Sequence, residues 1–302
     1  LACMPEAAYV DRTLLEQAAS PIPVRLIKNP SGTIPAGLNL GIHTARGEII
    51  LRLDVHARPF PDHIRRCLET LATSGAEVVG GHLDIRPGAA GPVASAIALA
   101  ISHPLGAGDA RYRLQSPSRA AELDTVPYAC FPKSLWQTLG GFNESLLFNE
   151  DYEFNWRVRA AGGRVFFDPA IRTDYFARGT LGALAHQQFR YGWWKAQMLR
   201  HHPKSLRWRQ GLPMTALAGL VICAVAALFG PWGRIGLFGL IAAYGLILEI
   251  ASIGPAVRRR WAALLLALPV ALATVHFAWS GGAWANLITG GRWPRPGVRK
   301  EK

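Results

Sequence analysis

The spacing of hydrophobic and polar positions divides the 302-residue chain into two regions of different character. Up to about Arg209, short apolar runs alternate with charged and turn-forming residues, as they do in a soluble domain. Beyond that point the chain is overwhelmingly apolar, with segments 213–229, 235–253 and 261–279 standing out. Two of these reach the roughly 18–20 residues that cross a bilayer core, and the first is slightly shorter. The pattern predicts a soluble domain over residues 1–205 and a membrane anchor with about three hydrophobic segments over 206–302.

Predicted strands and helices alternate along the first region. The run Glu48–Asp54 is apolar and β-branched, which favours a strand, and the apolar positions of 62–72 have helical spacing. Further helices are predicted over 7–19, 34–45 and 92–102, and further strands over 24–27, 76–85 and 125–131. This alternation indicates an α/β fold with a largely parallel sheet flanked by helices. Ligands of such sheets bind beyond the carboxyl ends of the strands, so Asp54 is a candidate binding residue.

The stretch from Asn149 to Gly163 predicts a short helix with an acidic first turn. Asn149 is a suitable N-cap, and Glu150, Asp151 and Glu153 lie where the helix dipole favours negative charge. Capping and the dipole together explain one or two acids. A Glu-Asp pair that follows a glycine-rich turn is also well placed to act as a general base. Both interpretations remain open at this level.

Composition and charge limit the possible classes of function. The net charge is +13, but the basic residues flank the apolar segments, as at 258–260, and form no recognition helix. The sequence therefore predicts a membrane partner and no nucleic-acid partner. The four cysteines have no metal-binding spacing, which indicates free thiols in a reducing compartment. The chain begins with Leu1 and shows no secretory signal, so we expect an incomplete start and a cytoplasmic soluble domain.

Several motifs, in the correct order, resemble those of family 2 glycosyltransferases. More narrowly, the chain is similar to the succinoglycan-type membrane-anchored enzymes of bacterial exopolysaccharide assembly. The resemblance extends over about 29–203, and its motifs are Ala45–Ile50 with Asp54–Ala57, Val78–Gly81, Ser102–Gly108, Asp124–Pro127, Gly141–Glu144, Asn149–Asn155, Gly163–Arg164 with Asp168–Arg172, and Gln187–Lys195. Any one of these motifs alone would be weak, whereas their shared order is specific.

The resemblance implies a GT-A-like fold and an inverting transfer of a sugar from a nucleotide-diphosphate donor. Asp54 corresponds to the metal-binding aspartate of the family's DxD motif, and His56 stands where the common motif has a second aspartate. The implied cofactor is Mg²⁺ or Mn²⁺, which neutralises the diphosphate leaving group. Imidazole suits Mn²⁺ less well than carboxylate does, so His56 is expected either to bind the metal or to hydrogen-bond the phosphate.

The family's base position falls on Asp151, with Glu150 as its flanking partner. Under this resemblance Asp151 takes the proton of the acceptor hydroxyl as that oxygen attacks the sugar. The capping interpretation of Asp151 weakens, since Asn149 already occupies the cap position.

Gln187, Arg190 and Tyr191 resemble the QxxRW motif of membrane-bound relatives, with Tyr in place of Trp. The resemblance implies that Arg190 pairs with diphosphate and that Tyr191 or Trp194 stacks on the acceptor sugar. The alternative is an amphipathic interfacial helix that holds Trp193 and Trp194 at the level of the lipid headgroups.

The chain departs from the family pattern at its start. The family begins with a strand, a nucleotide-contacting loop and a second strand that ends in an Asp-Asp-Gly-Ser-like motif, which is missing here. Residues 1–9 faintly resemble the end of the first strand and its loop, which would imply an internal gap before Val24; the alternative is a degraded remnant of a later piece. We therefore expect a GT-A-like domain that lacks its first strands and has an incomplete nucleotide pocket.

The basic tail 292–302 is at odds with three membrane spans, because it would then lie outside the cell, against the positive-inside tendency. A segment 261–290 that breaks at Gly281–Gly282 would return the tail to the cytoplasm.

The sequence favours an inverting, metal-dependent glycosyltransferase of the inner (cytoplasmic) membrane. Its expected partners are a nucleotide-sugar donor, the membrane and a lipid-linked oligosaccharide or polysaccharide acceptor at the cytoplasmic face. Two alternatives remain: a processive polysaccharide synthase, and a catalytically dead remnant that acts as a membrane-anchored assembly partner.

Overall fold

The computed structural model describes residues 2–4, 25–54, 57–115 and 119–292. The helix expected over 7–19 and the side chain of His56 lie outside the described residues. The strands are β1 (Ala2–Met4), β2 (Leu26–Lys28), β3 (Ile49–Leu51), β4 (Ala57–Pro59), β5 (Val78–Arg86), β6 (Ala121–Glu122), β7 (Cys130–Pro132) and β8 (Val165–Phe176). The helices are α1 (Ile34–Thr44), α2 (His63–Ser74), α3 (Pro92–Ala100), α4 (Pro104–Ala107), α5 (Lys133–Thr138), α6 (Glu150–Ala160), α7 (Leu181–His201), α8 (Trp208–Ala226), α9 (Pro231–Arg259) and α10 (Leu264–Thr289).

The strands form two separate sheets within the described part of the chain. β1 and β2 pair in parallel as a two-stranded sheet, which agrees with the faint likeness of the first residues to a strand. The other sheet has six strands in the order β3-β7-β5-β8-β4, with β6 paired to β8. The α/β class with a helix-flanked sheet is therefore confirmed.

The six-stranded sheet is mixed, whereas the sequence favoured a largely parallel one. β7 runs antiparallel to both β3 and β5, and β6 runs antiparallel to β8. β5 and β8 run in the same direction, because Val78 N donates to Arg164 O at one end and Ala177 N donates to Arg86 O at the other. Between β5 and β7 the chain passes through α3, α4 and β6, so β7 is not reached by the single strand-helix-strand crossover that sets up a parallel neighbour.

The chain divides into two compact units. The first unit contains residues 1–83 and 117–173, and the second contains residues 84–116 and 174–302. The domain boundary expected near residue 205 stays a prediction. Each unit is described by itself below.

An aromatic cluster supports α6 in the first unit. Phe154 of α6 lies 5.2 Å from Phe131 of β7 and 4.8 Å from Phe142 between ring centroids. All three side chains are buried. Burying an aromatic ring contributes about 1.5–3 kcal/mol, so this cluster fixes the helix against the end of β7.

The second unit contains three helices that are long and apolar enough to cross a membrane, namely α8, α9 and α10. They correspond to the three predicted segments with shifted boundaries. α10 runs unbroken to Thr289, which contradicts the alternative in which the segment breaks at Gly281–Gly282. Glycine at position 282 allows close packing, because a Cβ there would overlap the carbonyl of Phe189. Gly192 has the same role on α7, since its Cβ would overlap the carbonyl of Trp279. α7 and α10 therefore pack closely.

Candidate active site

The acidic helix α6 begins at Glu150, as the sequence predicts, but its cap differs from the expected one. Asn149 occupies the N-cap position with φ 64°, and its side chain makes no capping hydrogen bond. A side chain in this left-handed conformation does not reach the first-turn amides, because capping requires an extended backbone. The carboxylate of Asp151 accepts instead, with Oδ1 2.7 Å from the amide of Tyr152. Asp151 thus takes part in the local hydrogen bonding that had been assigned to Asn149.

The body of α6 is anchored by an internal ion pair. Arg157 donates to Glu153 at 2.7 and 2.9 Å, one turn apart on the helix. The same guanidinium donates to the carbonyls of Leu139 and Gly141, each at 2.6 Å. Because Glu153 is buried, these charge-assisted bonds are strong and leave little freedom to the helix. Two of the conspicuous charges on this helix are therefore structural.

Asn39 of α1 holds the turn that leads into α6. Its Nδ2 donates to Phe142 O and to Glu144 Oε1 at 2.9 Å, and its Oδ1 accepts from Phe142 N at 2.8 Å and from Trp136 Nε1 at 3.1 Å. A partly buried amide with every hydrogen-bonding group engaged specifies one local geometry. The turn before the Glu-Asp pair is consequently fixed from α1.

Arg52 brings two of the predicted carboxylates together. It follows β3 directly and donates from Nε to Asp54 Oδ1 at 3.0 Å. Its Nη1 lies 2.9 Å from Glu150 Oε1, which is an ion-pair distance. The N–H bonds of Nη1 are not aimed at that oxygen, so the contact is an ion pair without a hydrogen bond. The side chains of Arg52 and Glu150 are 11% and 5% exposed, while that of Asp54 is 30% exposed. The arrangement leaves Asp54 as the partner that solvent or a ligand can reach.

Burial controls the ionisation of Glu150. Removal from water raises the pKa of Glu150 to about 7, Arg52 counteracts this effect, and the neighbouring Asp151 adds to it. For Arg52, burial acts to lower the pKa, but the carboxylates of Glu150, Asp54 and Asp151 outweigh it and raise the pKa. The guanidinium is therefore permanently charged, whereas burial favours the protonated form of Glu150.

Two further contacts hold the first turns of α6 to the segment before β7. Tyr152 donates from its hydroxyl to Asp124 Oδ2 at 2.8 Å, and Asn155 donates to Thr125 Oγ1 at 2.8 Å. Asp124, Thr125 and Asn155 are all buried. The Asp-Thr-Val-Pro motif noted in the sequence therefore supports the helical turn that directly follows Asp151.

The donor set at Asp54 is compatible with a divalent cation that a phosphate-bearing substrate also binds. Within the described ranges, no group of three or more histidine, cysteine or acidic side chains could hold a metal ion by itself. Asp54 is a partly exposed carboxylate, and Mg²⁺ or Mn²⁺ takes one or two such ligands with the remainder from phosphate and water. His56, the other predicted ligand, lies outside the described residues. Asp54 therefore fits a cation site in which it supplies one ligand and the substrate phosphate and water supply the others.

The motif Gln187–Tyr191 lies on α7 in the second unit. Gln187 is buried and donates from Nε2 to the hydroxyls of Tyr175 and Tyr191, each at 3.2 Å. Burial lowers the pKa of Arg190, Tyr191 raises it, and the guanidinium of Arg178 lowers it further. The guanidinium groups of Arg190 and Arg178 repel each other, and a bound anion would reduce this repulsion.

The two tryptophans of α7 are both buried within the second unit. Trp193 is 3% and Trp194 is 6% exposed, and Trp193 stacks with Phe189 at 6.3 Å between centroids. The interpretation that places both rings at lipid headgroups is therefore wrong, because neither ring reaches the surface. The predicted stacking of Trp194 on a sugar stays a prediction.

In the first unit, Arg52 joins Asp54 to Glu150, and Asp151 follows Glu150 on α6. The other predicted site residues lie on one helix of the second unit, namely Gln187, Arg190, Tyr191 and Trp194. Sequence reasoning missed Arg52. The available signal was its position, because an arginine at the end of a strongly apolar strand is buried there and requires a carboxylate partner.

Comparison with known proteins agrees with this geometry. A family model described as glycosyl transferase family 2 matches residues 11–119. The chain is 27% identical over 271 residues to the succinoglycan biosynthesis protein ExoA of Rhizobium meliloti (strain 1021), covering 88% of this chain and 78% of ExoA. It is 25% identical over 259 residues to a dolichyl N-acetyl-alpha-D-glucosaminyl phosphate 3-beta-D-2,3-diacetamido-2,3-dideoxy-beta-D-glucuronosyltransferase of Methanococcus voltae, covering 83% and 74% of the two chains.

Among solved structures, the mannosyltransferase PcManGT from Pyrobaculum calidifontis, in complex with GDP-Man and Mn²⁺, has the same fold. The TM-score is 0.54 at 16% sequence identity, with 95% of this chain and 77% of that chain covered. At this identity the likeness concerns the fold alone, which is GT-A-like. The family model, the sequence relatives and the fold together support a family 2 glycosyltransferase, and the chain resembles ExoA over most of its length.

Proposed function

We propose that this glycosyltransferase transfers a sugar, with inversion, from a nucleotide-diphosphate donor to a hydroxyl of a lipid-linked glycan at the cytoplasmic face of the membrane. The names of two relatives support the acceptor class, since one acts in succinoglycan biosynthesis and the other on a dolichyl-phosphate-linked sugar. The GDP-Man and Mn²⁺ bound to the structural neighbour support the donor class and the cation. Three apolar helices support the membrane location.

The position of Asp151 is the observation that carries this proposal. Asp151 lies at the first turn of α6, on a backbone held by Asp124, Asn155 and the Asn39-bound turn. Its Oδ1 is engaged by the amide of Tyr152, and no described residue hydrogen-bonds Oδ2. A fixed carboxylate with one oxygen available can accept a proton from a hydroxyl within hydrogen-bonding distance.

The bonding changes of the reaction balance without any further reactant. The acceptor hydroxyl transfers its proton to Asp151 as its oxygen bonds to the anomeric carbon. The bond from that carbon to the diphosphate oxygen breaks on the opposite face, and the nucleoside diphosphate leaves with the electron pair. One displacement inverts the anomeric configuration.

The remaining charged residues of the first unit have supporting roles in this proposal. Asp54 would hold the divalent cation, which, when bound, neutralises the developing charge of the diphosphate. Arg52 keeps Asp54 and Glu150 in place through contacts to both. Glu150 is buried and acts through Arg52, so it is a positioning residue in this proposal.

The test uses the full chain in detergent micelles with a panel of nucleotide sugars, Mn²⁺ and a polyprenyl-diphosphate-linked acceptor sugar. We expect transfer that is lost with EDTA and restored by Mn²⁺, and NMR of the product should show the inverted anomer. Asp151→Asn should lower kcat by about 10²–10⁴-fold with little change in donor affinity, because the base acts only in the transition state.

Asp62→Asn is the matched control, because Asp62 is a surface carboxylate that pairs with Arg66 and should leave kcat unchanged. Wild-type turnover in Asp151→Asn would exclude Asp151 as the base. Absence of transfer with every donor would favour the catalytically dead remnant. Repeated additions to one acceptor would favour the processive synthase.

A further inference from the structure

An uncharged stretch of the second unit lies between the end of β5 and Asp109. Residues 87–108 contain no aspartate, glutamate, lysine or arginine, and they include the apolar helices α3 and α4. Each helix is far shorter than the roughly 20 residues that cross a bilayer, so neither is a membrane span by itself. A shorter element can still enter the membrane where it packs against longer helices.

Both short helices pack against α10. α3 also contacts α7, and its residues Ala94–Ala100 are all buried. A Cβ on Gly106 of α4 would overlap the carbonyl of Ala100 and lie 3.5 Å from Leu272 Cδ2, so α4 lies tightly against α3 and α10. Because α10 is long and apolar enough to cross a membrane, this packing places an uncharged element beside a candidate span.

A histidine of α10 is hydrogen-bonded to α4. His276 Nε2 lies 2.8 Å from Leu105 O, and its Nδ1 lies 2.9 Å from the hydroxyl of Tyr244 on α9. A carbonyl only accepts, so Nε2 donates to Leu105 O, and in the neutral ring Nδ1 accepts from the hydroxyl. Both ring nitrogens are therefore engaged, and one side chain joins α4, α9 and α10.

The place of His276 in an apolar helix makes this contact informative. Polar side chains in membrane-crossing helices are costly and are found where they have specific partners. A carbonyl at the surface of a soluble domain bonds to water, whereas a carbonyl in the apolar layer needs a donor from the protein. Leu105 O belongs to a four-residue helix, whose last carbonyls have no partner inside the helix. His276 supplies the donor that a membrane setting requires.

The polar side chains between α3 and α4 are satisfied within the segment. Ser102 Oγ donates to Ala98 O at 2.8 Å and to Leu99 O at 3.1 Å. His103 Nδ1 accepts from Leu105 N at 3.1 Å. A serine that bonds back to the preceding turn is common in membrane helices, because it hides its hydroxyl from lipid. These two side chains therefore need no water.

The outer surface of α4 is apolar and continues that of α10. Pro104 and Leu105 are exposed, and so is Phe277, which directly follows His276. The ring of Phe277 lies 5.5 Å from that of Tyr244 between centroids, so α9 adjoins the same surface. An exposed apolar patch marks a contact site, and this one is continuous with helices that are apolar enough to face lipid.

We infer that α4 is a lipid-contacting element, inserted into the membrane beside α10 and held there by His276. The partner of its apolar surface is the acyl layer of the bilayer. This inference rests on the membrane location in the proposed function. The chain between β5 and β6 then contacts the membrane in addition to the three long helices, and His276 is a positioning residue for that contact.

Spin-label accessibility in lipid vesicles tests the insertion. The full chain carries Cys3→Ser and Cys223→Ser, which leaves the buried thiols Cys67 and Cys130. A nitroxide label is then attached at Leu105→Cys. We expect molecular oxygen to reach this label and a water-soluble nickel chelate to be excluded from it, because oxygen concentrates in the acyl layer and the chelate stays in water.

Two exposed apolar positions serve as matched controls. Phe238→Cys on α9 should report lipid, and Ile64→Cys on α2 should report water. A label at Leu105→Cys that matches the Ile64→Cys control would overturn the inference while leaving the proposed function intact. If the chelate reaches the Phe238→Cys control as well, the membrane location of the proposed function fails together with the inference.

Substitution of His276 tests what holds α4 in place. His276→Leu removes the donor to Leu105 O, so the label at position 105 should become accessible to the chelate. His276→Gln should restore the shielding, because its amide can donate to the same carbonyl. Tyr244→Phe should have a smaller effect, since it keeps that bond.

Unchanged shielding in His276→Leu would overturn the positioning role of the histidine. If this variant fails to fold, His276→Phe replaces it, because a phenyl ring keeps the volume without a donor, and the same two outcomes apply. A loss of shielding that His276→Gln does not restore would also contradict a role based on the hydrogen bond.

Discussion

Arg52 is the residue on which the charges of the first unit depend. Its guanidinium contacts Asp54 and Glu150, and of these two acids only Asp54 is appreciably exposed. The attraction between buried ions has to offset the cost of removing both from water, so such a pair adds little net stability but is damaging to break. Arg52 therefore contributes mainly geometry, since it defines where the two carboxylates lie.

Removing Arg52 should accordingly cost more than removing the charge of Glu150. We expect Arg52→Gln to lower the free energy of unfolding by about 3–5 kcal/mol, because Glu150 is left buried without its partner. Glu150→Gln should cost less, since Arg52 keeps Asp54, and the double variant should be no less stable than Arg52→Gln. Thermal unfolding in detergent measures all three. Arg65→Gln, which breaks an exposed pair, is the control and should change little.

Glu150 should also make stability depend on pH. Its pKa is raised from the ordinary value of 4.5 to about 7, chiefly by burial. Between these values the folded chain keeps a proton that the unfolded chain has released, so the folded state binds more protons and stability falls as pH rises. The contribution is complete below pH 4.5 and lost above about pH 7.

The measurement is the unfolding midpoint of the wild type and of Glu150→Gln from pH 5 to pH 8. The variant should show a smaller decline across the lower part of this range. Glu48→Gln, which alters an exposed carboxylate, should decline as the wild type does. A wild-type midpoint that rises from pH 5 to pH 7 in a Glu150-dependent manner would contradict the assignment.

At the scale of elements, the entry to α6 is what places Asp151. The turn before it passes through Gly140 and Gly141, which have φ values of 75° and 80°. L side chains rarely adopt this conformation, so both positions favour glycine. Only at Gly141 would a Cβ also meet other atoms, namely Asn39 Oδ1 at 2.9 Å and the Trp136 ring at 3.3 Å.

This difference predicts the effect of alanine at the two sites. Gly140→Ala should cost about 1–2 kcal/mol, because it introduces backbone strain alone. Gly141→Ala should cost more, since it also displaces the amide of Asn39 and the hydrogen bonds that this amide makes to Phe142. Thermal unfolding midpoints give the comparison, with kcat measured alongside. Equal losses at the two positions would show that the close packing around Gly141 contributes nothing.

At the scale of the whole molecule, the continuity of α10 determines the membrane topology that we expect. The helix runs from Leu264 to Thr289 without a break, so three spans place the segment before α8 and the tail after α10 on opposite faces. The tail then carries its basic residues outside, against the positive-inside tendency. We expect three unbroken apolar helices to outweigh that tendency, because a helix inside the bilayer keeps its backbone hydrogen bonds satisfied.

Cysteine labelling tests this topology in intact cells. In a chain with Cys3→Ser and Cys223→Ser, we expect a membrane-impermeant maleimide to label Lys300→Cys without permeabilisation. Lys204→Cys, at an exposed position before α8, should be labelled only after the membrane is opened. Labelling of both sites under the same condition would show that the tail returns to the starting face.

Much of this protein can be predicted from its sequence, because several of its signals are local. The hydrophobic pattern located α2 and β5, and the cap and acidic first turn located α6, to within a few residues. The three apolar helices were also predicted, with ends that differ by up to ten residues. The ordered motifs predicted the family and the GT-A-like fold. The α6 acids were recognisable because a Glu-Asp pair follows a glycine-rich turn at a predicted helix start. These features are determined by residues that are close together in the sequence, so they can be recognised without knowledge of the fold.

The remaining features depend on contacts between distant residues. The direction of β7 in the sheet and the partnership of Arg52 with Glu150 both join segments far apart in sequence. Which acid is buried, and therefore which has a raised pKa, follows from packing and not from residue type. The sequence by itself determined the class of enzyme and the candidate base, whereas only the tertiary structure decided how the charges around that base are paired, because pairing requires proximity that the order of residues does not specify.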